Sequence, residues 1–420
     1  MKIRKTFVIL CIFLFPLLFS TILMISIPYE NLDFTQRPLS SVGGVSNYNV
    51  TQSIKYQVEI NFSLTHNYGS SKNYWFQFSR LNDRQPNNPL TQYCPPYQES
   101  NLLYSNITGY DPDPYILQDK FNNTYDLFNN TLYYNDAITL SQIYNVTLNE
   151  IDFTNINEAD IGVYDFSDEM FNLYCNNSEL YYERDNPTLI AVSNSIVDSF
   201  DNPIEKARKI HNWVAGYLTY DSSMPAQEVG ALEAYNTGRG DCSEYSSLMV
   251  TLLRIQNIPA RKVTGYCISA NPSTRPSVGQ QWTFIANKYS SNFLGHAWVE
   301  YYVPNIGWIA CDPTWQSSGY NYFNKIDYLR FNLNIGQWFS IPLLSDQSEF
   351  PNPCIVYQTP TNFDYTYQFK VTVLESNLLP SDDLFIFIVF IIIGVIIIVS
   401  LLAIVILVKK RRKQKKSYYD

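Results

Sequence analysis

From Ile54 to Leu64 hydrophobic and polar residues alternate one by one: Ile54, Tyr56, Val58, Ile60, Phe62 and Leu64 are apolar, with Lys55, Gln57, Glu59, Asn61 and Ser63 between them. A period of two puts the two sets on opposite faces of a pleated strand, so this stretch predicts a strand with one wet face. Turn-forming clusters at Asn87-Asn88-Pro89 and Asp111-Pro112-Asp113-Pro114 punctuate the runs that follow. Residues 45–183 therefore read as a β-rich, sandwich-like region.

Near Pro187 the period changes. Ile204, Ala207, Ile210, Val214 and Leu218 recur at helical spacing behind Asp201, Asn202 and Pro203, which offer capping side chains and a first-turn proline with no N–H to lose. Tyr245, Leu248, Met249, Leu252 and Leu253 predict a second helix, stopped by Asn257 and Pro259. Beyond it residues 260–268 are β-prone, and 296–303 is separated from 308–312 by Pro304-Asn305-Ile306-Gly307, a hairpin pattern. Helices mixed with strands in this order make the fold α+β.

Two stretches are apolar without any period. Leu384 to Val408 carries no charge and runs directly into Lys409, Lys410, Arg411, Arg412 and Lys413. About 20 such residues span a bilayer, and a basic flank marks the cytoplasmic side. Residues 384–408 are thus expected to be a transmembrane helix, 409–420 a basic cytoplasmic tail and 339–383 a membrane-proximal stalk. At the other end Lys2, Arg4 and Lys5 precede the apolar run from Phe7 to Ile27. Residues 1–29 read either as a signal peptide or as a retained signal anchor, since the run is longer and bulkier than an ordinary signal core. The expected location is the cell membrane, with one pass or two, and with everything between the two apolar runs outside the cell. Glycosylation triplets begin at Asn49, Asn61, Asn106, Asn122, Asn129, Asn145 and Asn176, and agree with that side of the membrane.

Composition narrows the function classes. The 420 residues are 46% hydrophobic and 16% charged, which excludes a disordered chain. Net charge is -9 although both ends are basic, so the middle is strongly acidic and no clustered positive field exists there for nucleic acid. The three histidines, His66, His211 and His296, are scattered, and neither a metal nor a cofactor is expected. Cys94 and Cys175 could pair in an oxidising exterior. Cys267, Cys311 and Cys354 read as buried thiols or disulfide halves.

The candidate chemistry starts at Thr237-Gly238-Arg239-Gly240-Asp241-Cys242, which delivers Cys242 to the N-terminus of the second helix. Unpaired N–H groups and the helix dipole there favour a thiolate, and the same groups can hold an oxyanion. Arg239-Gly240-Asp241 also spells an adhesion tripeptide, but a tight turn before the cysteine explains it better. The predicted hairpin brings His296 and Asp312 to one end of two neighbouring strands. A cysteine, a histidine to take its proton and a carboxylate to fix the histidine tautomer make a nucleophilic triad. A four-residue loop would place Asp312 opposite Val299, facing away from His296, whereas a three-residue loop or a bulge restores a shared face. His211, alone on its helix, reads as structural.

Taken together, Gly238 to Tyr245, Leu253-Arg254, Ile258-Pro259-Ala260-Arg261, Val263-Thr264-Gly265-Tyr266, Gly295 to Glu300, Gly307-Trp308 and Asp312-Pro313-Thr314-Trp315 resemble the transglutaminase-like superfamily, in particular its microbial members. The resemblance spans about 187–338. It implies a papain-like core with the nucleophile on a central helix, and carries over Cys242 as nucleophile, His296 as general base and Asp312 as its orienting partner. It departs from the usual pattern at 271–292, an insertion that is either a lid or an ornament, and at Cys311, where an apolar residue is expected. The implied activity is attack on an amide bond of a protein or peptide through a thioester, with hydrolysis preferred, cross-linking as the alternative, and a non-catalytic surface binding or scaffold protein as the third reading.

Overall fold

A computed structural model of the chain describes residues 48–85, 93–109, 114–153, 156–225, 228–336, 354–357, 361–378 and 382–416. The expected signal or anchor at 1–29 and the turn residues 87–89 and 111–113 lie outside these.

The alternation at 54–64 is the middle of β1 (Asn49–His66), where every second side chain is buried. It is followed by β2 (Lys72–Ser79), β3 (Gln98–Thr108), β4 (Tyr115–Gln118), β5 (Thr124–Leu132) and β6 (Ala137–Asp152). Helices then take over: α1 (Glu169–Tyr174), α2 (Pro187–Ile196) and α3 (Pro203–Tyr217), with β7 (Thr219–Tyr220), α4 (Ala231–Thr237) and β8 (Arg239–Gly240) leading into α5 (Cys242–Ile255). The remainder runs β9 (Ala260–Cys267), β10 (Gln281–Asn287), β11 (Gly295–Val303), β12 (Gly307–Cys311), α6 (Pro313–Ser317), β13 (Lys325–Ile326), β14 (Arg330–Ile335), β15 (Cys354–Tyr357), β16 (Phe363–Ser376) and α7 (Asp382–Lys416).

The described strands form a sheet in the order β10-β16-β1-β6-β13 with β3 also on β6, a sheet β12-β11-β9-β14, a sheet β15-β2-β5-β4, and the short parallel pair β7-β8. The second of these positions the candidate site. One of its faces shares a core with α3 and α5, through Val299, Tyr301, Ile210, Val214, Leu248 and Leu252. The other meets the first sheet, where the ring of Phe331 on β14 lies 5.3 Å from that of Tyr56 on β1. Gly265 on β9 shows how close the strands of this sheet come: a Cβ there would sit 1.7 Å from the Phe331 carbonyl oxygen, which only glycine avoids.

The structure departs from the sequence expectations in three places. Residues 363–376, expected within a membrane-proximal stalk, form β16, paired with β1 along its whole length. Tyr367, Phe369, Val371 and Val373 are buried there, and their period of two is the same signal that marks β1. The insertion at 271–292 contributes β10, which pairs with the outer edge of β16 from Gln281↔Thr372 to Asn287↔Thr366. Cys94 and Cys175 do not pair; both are buried free thiols, as are Cys267 and Cys311. Cys94 instead accepts from two guanidinium groups, Arg84 Nη2 at 2.9 Å and Arg261 Nη2 at 3.2 Å. Both arginines bind Glu300 Oε2 on β11, at 2.7 and 2.8 Å, so the segment between β2 and β3 is tied to β9 and β11 by a buried ionic cluster.

In α7, Val389–Lys409 is a 21-residue stretch long and apolar enough to cross a membrane.

Candidate active site

Cys242 opens α5, a helix in which every residue from Glu244 to Arg254 is buried. The start of this helix is fixed by a capping box in which Asp241 accepts from the Ser243 N–H at 2.8 Å and Glu244 accepts from the Asp241 N–H at 3.0 Å. Just before it, Gly238 closes α4 in the left-handed region at φ 63°, the turn that glycine permits. Burial and the Asp241 carboxylate push Glu244 up to about 7.

The backbone N–H of Ala297, the neighbour of His296 on β11, favours the thiolate of Cys242. Its thiol does not follow the expectation of a lowered pKa. Burial, followed by the Asp241 carboxylate, pushes it up, and the Ala297 N–H and the more distant charge of Lys262 only partly offset this. A group that must leave water to ionise loses more than a helix terminus returns.

His296 and Asp312 are brought together. His296 Nε2 lies 2.6 Å from Asp312 Oδ2, which leaves Nδ1 as the nitrogen available to another group. The register explains why. Val303 pairs with Gly307 and Val299 with Cys311, so the loop is the three-residue one, and Asp312, one step beyond Cys311, returns to the face of His296. Asp312 is also the N-cap of α6: its Oδ1 accepts from the N–H groups of Thr314 at 3.0 Å and Trp315 at 3.1 Å. The imidazole is flanked by the rings of Trp315 and Trp298 at 5.5 and 6.3 Å.

A fourth partner of Asp312 is not evident from the sequence. Arg330 Nη1 on β14 binds Asp312 Oδ2 at 2.6 Å, the same oxygen that takes His296, while its Nη2 binds Asp327 Oδ2 at 2.8 Å. The guanidinium carbon lies 4.2 Å from the Trp315 ring centroid and 5.3 Å from that of Trp298. Burial alone would raise the Asp312 pKa, but His296 and Arg330 hold it well below the usual carboxylate range. Lys262 on β9 escapes sequence reasoning as well. Its fully buried Nζ bridges Glu228 Oε2 at 2.5 Å and Ser243 Oγ at 3.1 Å, directly under the start of α5. Only the Asp327-x-x-Arg330 spacing hints at either pair, and nothing local ties it to Asp312.

His211 is fully buried on α3, with its ring 5.3 Å from Phe323. Burial pushes it down to about 4, so it is neutral at ordinary pH. Among the described residues no group of three or more His, Cys, Asp or Glu side chains could hold a metal ion.

Part of the sequence has counterparts among known proteins. A family model of the transglutaminase-like superfamily matches residues 190–313. An uncharacterized protein, YebA of Bacillus subtilis (strain 168), is 28% identical over 125 residues, covering 28% of this chain and 16% of that protein. The protein-glutamine gamma-glutamyltransferase of Pseudomonas aeruginosa is 37% identical over 83 residues, 20% of this chain and 11% of its own length. The chain thus spans only a small part of the curated relatives it matches. Among solved structures, a protein from Cytophaga hutchinsonii described as a candidate cysteine protease aligns with a TM-score of 0.48 at 15% identity, covering 79% of this chain and 95% of that one. The periplasmic domain of TgpA from Pseudomonas aeruginosa aligns with a TM-score of 0.30 at 17% identity, covering 65% and 97%. Helix α5 and strands β9, β11 and β12 fall within the matched stretch, which ends before β14, and residues 190–313 are a transglutaminase-like domain.

Proposed function

We propose that the chain is a membrane-anchored cysteine enzyme, held by α7 with its transglutaminase-like domain outside the cell, and that Cys242, His296 and Asp312 cleave amide bonds of a protein or peptide. The observation that carries the reading is the 2.6 Å bond from His296 Nε2 to Asp312 Oδ2, next to the Ala297 N–H that favours the Cys242 thiolate. Because burial keeps the thiol protonated at rest, the proton passes to the free nitrogen of His296 as sulfur attacks the carbonyl carbon. The C–N bond breaks, the leaving amine takes the proton from the imidazolium, and an acyl thioester remains on Cys242. Water then attacks the thioester, gives its proton to His296, and the C–S bond breaks to release a carboxylic acid and the thiol. Asp312 stays ionised throughout and holds the imidazole in one tautomer. The Ala297 N–H and the first N–H groups of α5 supply dipoles for the charge on sulfur and oxygen.

If an amine replaces water, the same thioester yields a cross-link. The similarity to a protein-glutamine gamma-glutamyltransferase, confined to 83 residues, keeps this second reading open. A glutamine-containing peptide incubated with the full-length chain and a fluorescent primary amine separates the two. Hydrolysis predicts release of ammonia or of peptide fragments with little label incorporated; labelled peptide as the main product would replace hydrolase with cross-linking enzyme.

A further inference from the structure

The ionic cluster behind His296 does more than hold Asp312 in place. Arg330 is shared between two carboxylates, Asp312 on one side and Asp327 on the other, and all three side chains are almost wholly buried. Two carboxylates and one guanidinium sum to a single negative charge. When His296 accepts a proton the cluster becomes neutral; when it gives the proton up, the cluster returns to one negative charge in a place where water cannot screen it.

The neighbours cannot supply that balance. From β9 the Cys267 thiol is pushed up to about 12 by burial. From β12 the Cys311 thiol is pushed up by burial and then by Asp312. From the loop before β13, Tyr322 donates to Asp327 Oδ2 at 2.7 Å, and burial holds it far above the usual phenol range. Tyr56 on β1 is raised likewise, His211 on α3 is neutral above about 4, and the Cys242 thiol on α5 is pushed up by burial. Between about pH 5 and 9 each of these stays uncharged. On the Cys242 side, Asp241 and Lys262 act on the sulfur and Glu244 is pushed up to about 7, and all three are the same in wild type and variants; the charges bonded in line behind His296 are those of Asp312, Arg330 and Asp327.

We infer that Arg330 and Asp327 are positioning residues that set how much of the Asp312 charge reaches His296: Arg330 draws on the oxygen that binds the imidazole, and Asp327 draws on Arg330 from the far side. This rests on the reading of His296 as base toward Cys242. Its signature is a pair of opposite shifts. Arg330→Met leaves two carboxylates near the imidazole, which then keeps its proton to higher pH. Asp327→Asn frees Arg330 to neutralise Asp312 more fully, so the imidazole gives its proton up at lower pH. Arg330→Lys keeps the charge without the planar fork and falls between wild type and Arg330→Met.

The test is the rate of iodoacetamide labelling at Cys242, followed by peptide mass spectrometry from pH 5 to 9 on the full-length chain in detergent. The acidic midpoint is expected to move up by about one unit in Arg330→Met and down by a similar amount in Asp327→Asn, each about a tenfold change in rate at a fixed pH below the midpoint. Movement of both in the same direction, or of neither, would overturn the inference and leave the cluster a structural brace. Should Arg330→Met fail to fold, Arg330→Lys takes its place: displacements of Arg330→Lys and Asp327→Asn in opposite directions support the inference, and any other pattern overturns it. A wild-type profile without any limb abolished by His296→Ala would instead remove the base itself, and this inference with it.

Discussion

Asp312→Ala is expected to slow acyl transfer by about a thousandfold or more and to destabilise the fold at the same time. The carboxylate accepts from His296, Arg330, Thr314 and Trp315. Without it the imidazole has nothing to fix its tautomer, a loss of that order where a triad carboxylate is removed. The buried Arg330 keeps only Asp327, and stranding one member of a buried ion pair costs about 3–5 kcal/mol. Asp312→Asn separates the effects: it keeps the shape and the α6 cap but not the charge, so most of the rate loss should persist with a smaller stability loss. Urea unfolding beside peptide turnover reads both. Full turnover in a folded Asp312→Asn variant would mean that the imidazole is oriented by its tryptophan neighbours alone.

Glu300→Ala should act on stability and not on chemistry. Glu300 is fully buried, and although burial opposes ionisation, Arg84 and Arg261 hold its carboxyl below the usual range. Its removal leaves two guanidinium groups facing each other and Cys94, again at about 3–5 kcal/mol, a large share of the roughly 5–15 kcal/mol that holds a domain together. A depressed carboxylate stabilises above its unfolded pKa and stops doing so as pH falls through the folded one. The contributions of Glu300 and Asp312 are therefore complete at neutral pH and fade on acidification below the ordinary carboxylate range. The expected result is a large drop in urea midpoint, with Cys242 in the remaining folded fraction still labelled at the wild-type rate. A change under about 1 kcal/mol would show that water or Cys94 compensates the arginines.

What is legible in the sequence is local. Helix α5 and its capping box follow from Asp241-Cys242-Ser243-Glu244, and β1 follows from strict alternation, because propensity and burial agree there. His296 and Asp312 follow from the hairpin pattern, but their shared face depends on whether the loop closes at Gly307 or Trp308, a one-residue matter that periodicity does not resolve. Position at a helix terminus points to a lowered pKa for Cys242; burial and the neighbouring Asp241 carboxylate, visible only in three dimensions, reverse the direction. Strand β16 carries the same alternation as β1, but its nearness to the apolar C-terminal run suggests a stalk and masks it. Arg330 and Lys262 reach the site from β14 and β9, and no spacing along the chain announces contacts that only sheet pairing creates.

In the proposed chemistry His296 serves as base toward Cys242, and iodoacetamide labelling of each cysteine in the full-length chain, in wild type and in His296→Ala, measures this directly. Cys242, partly exposed, is expected to label well ahead of the buried Cys94, Cys175, Cys267 and Cys311, and to slow by about a hundredfold or more without the imidazole. Equal Cys242 rates in the two proteins, with the fold intact, would contradict the proposed chemistry.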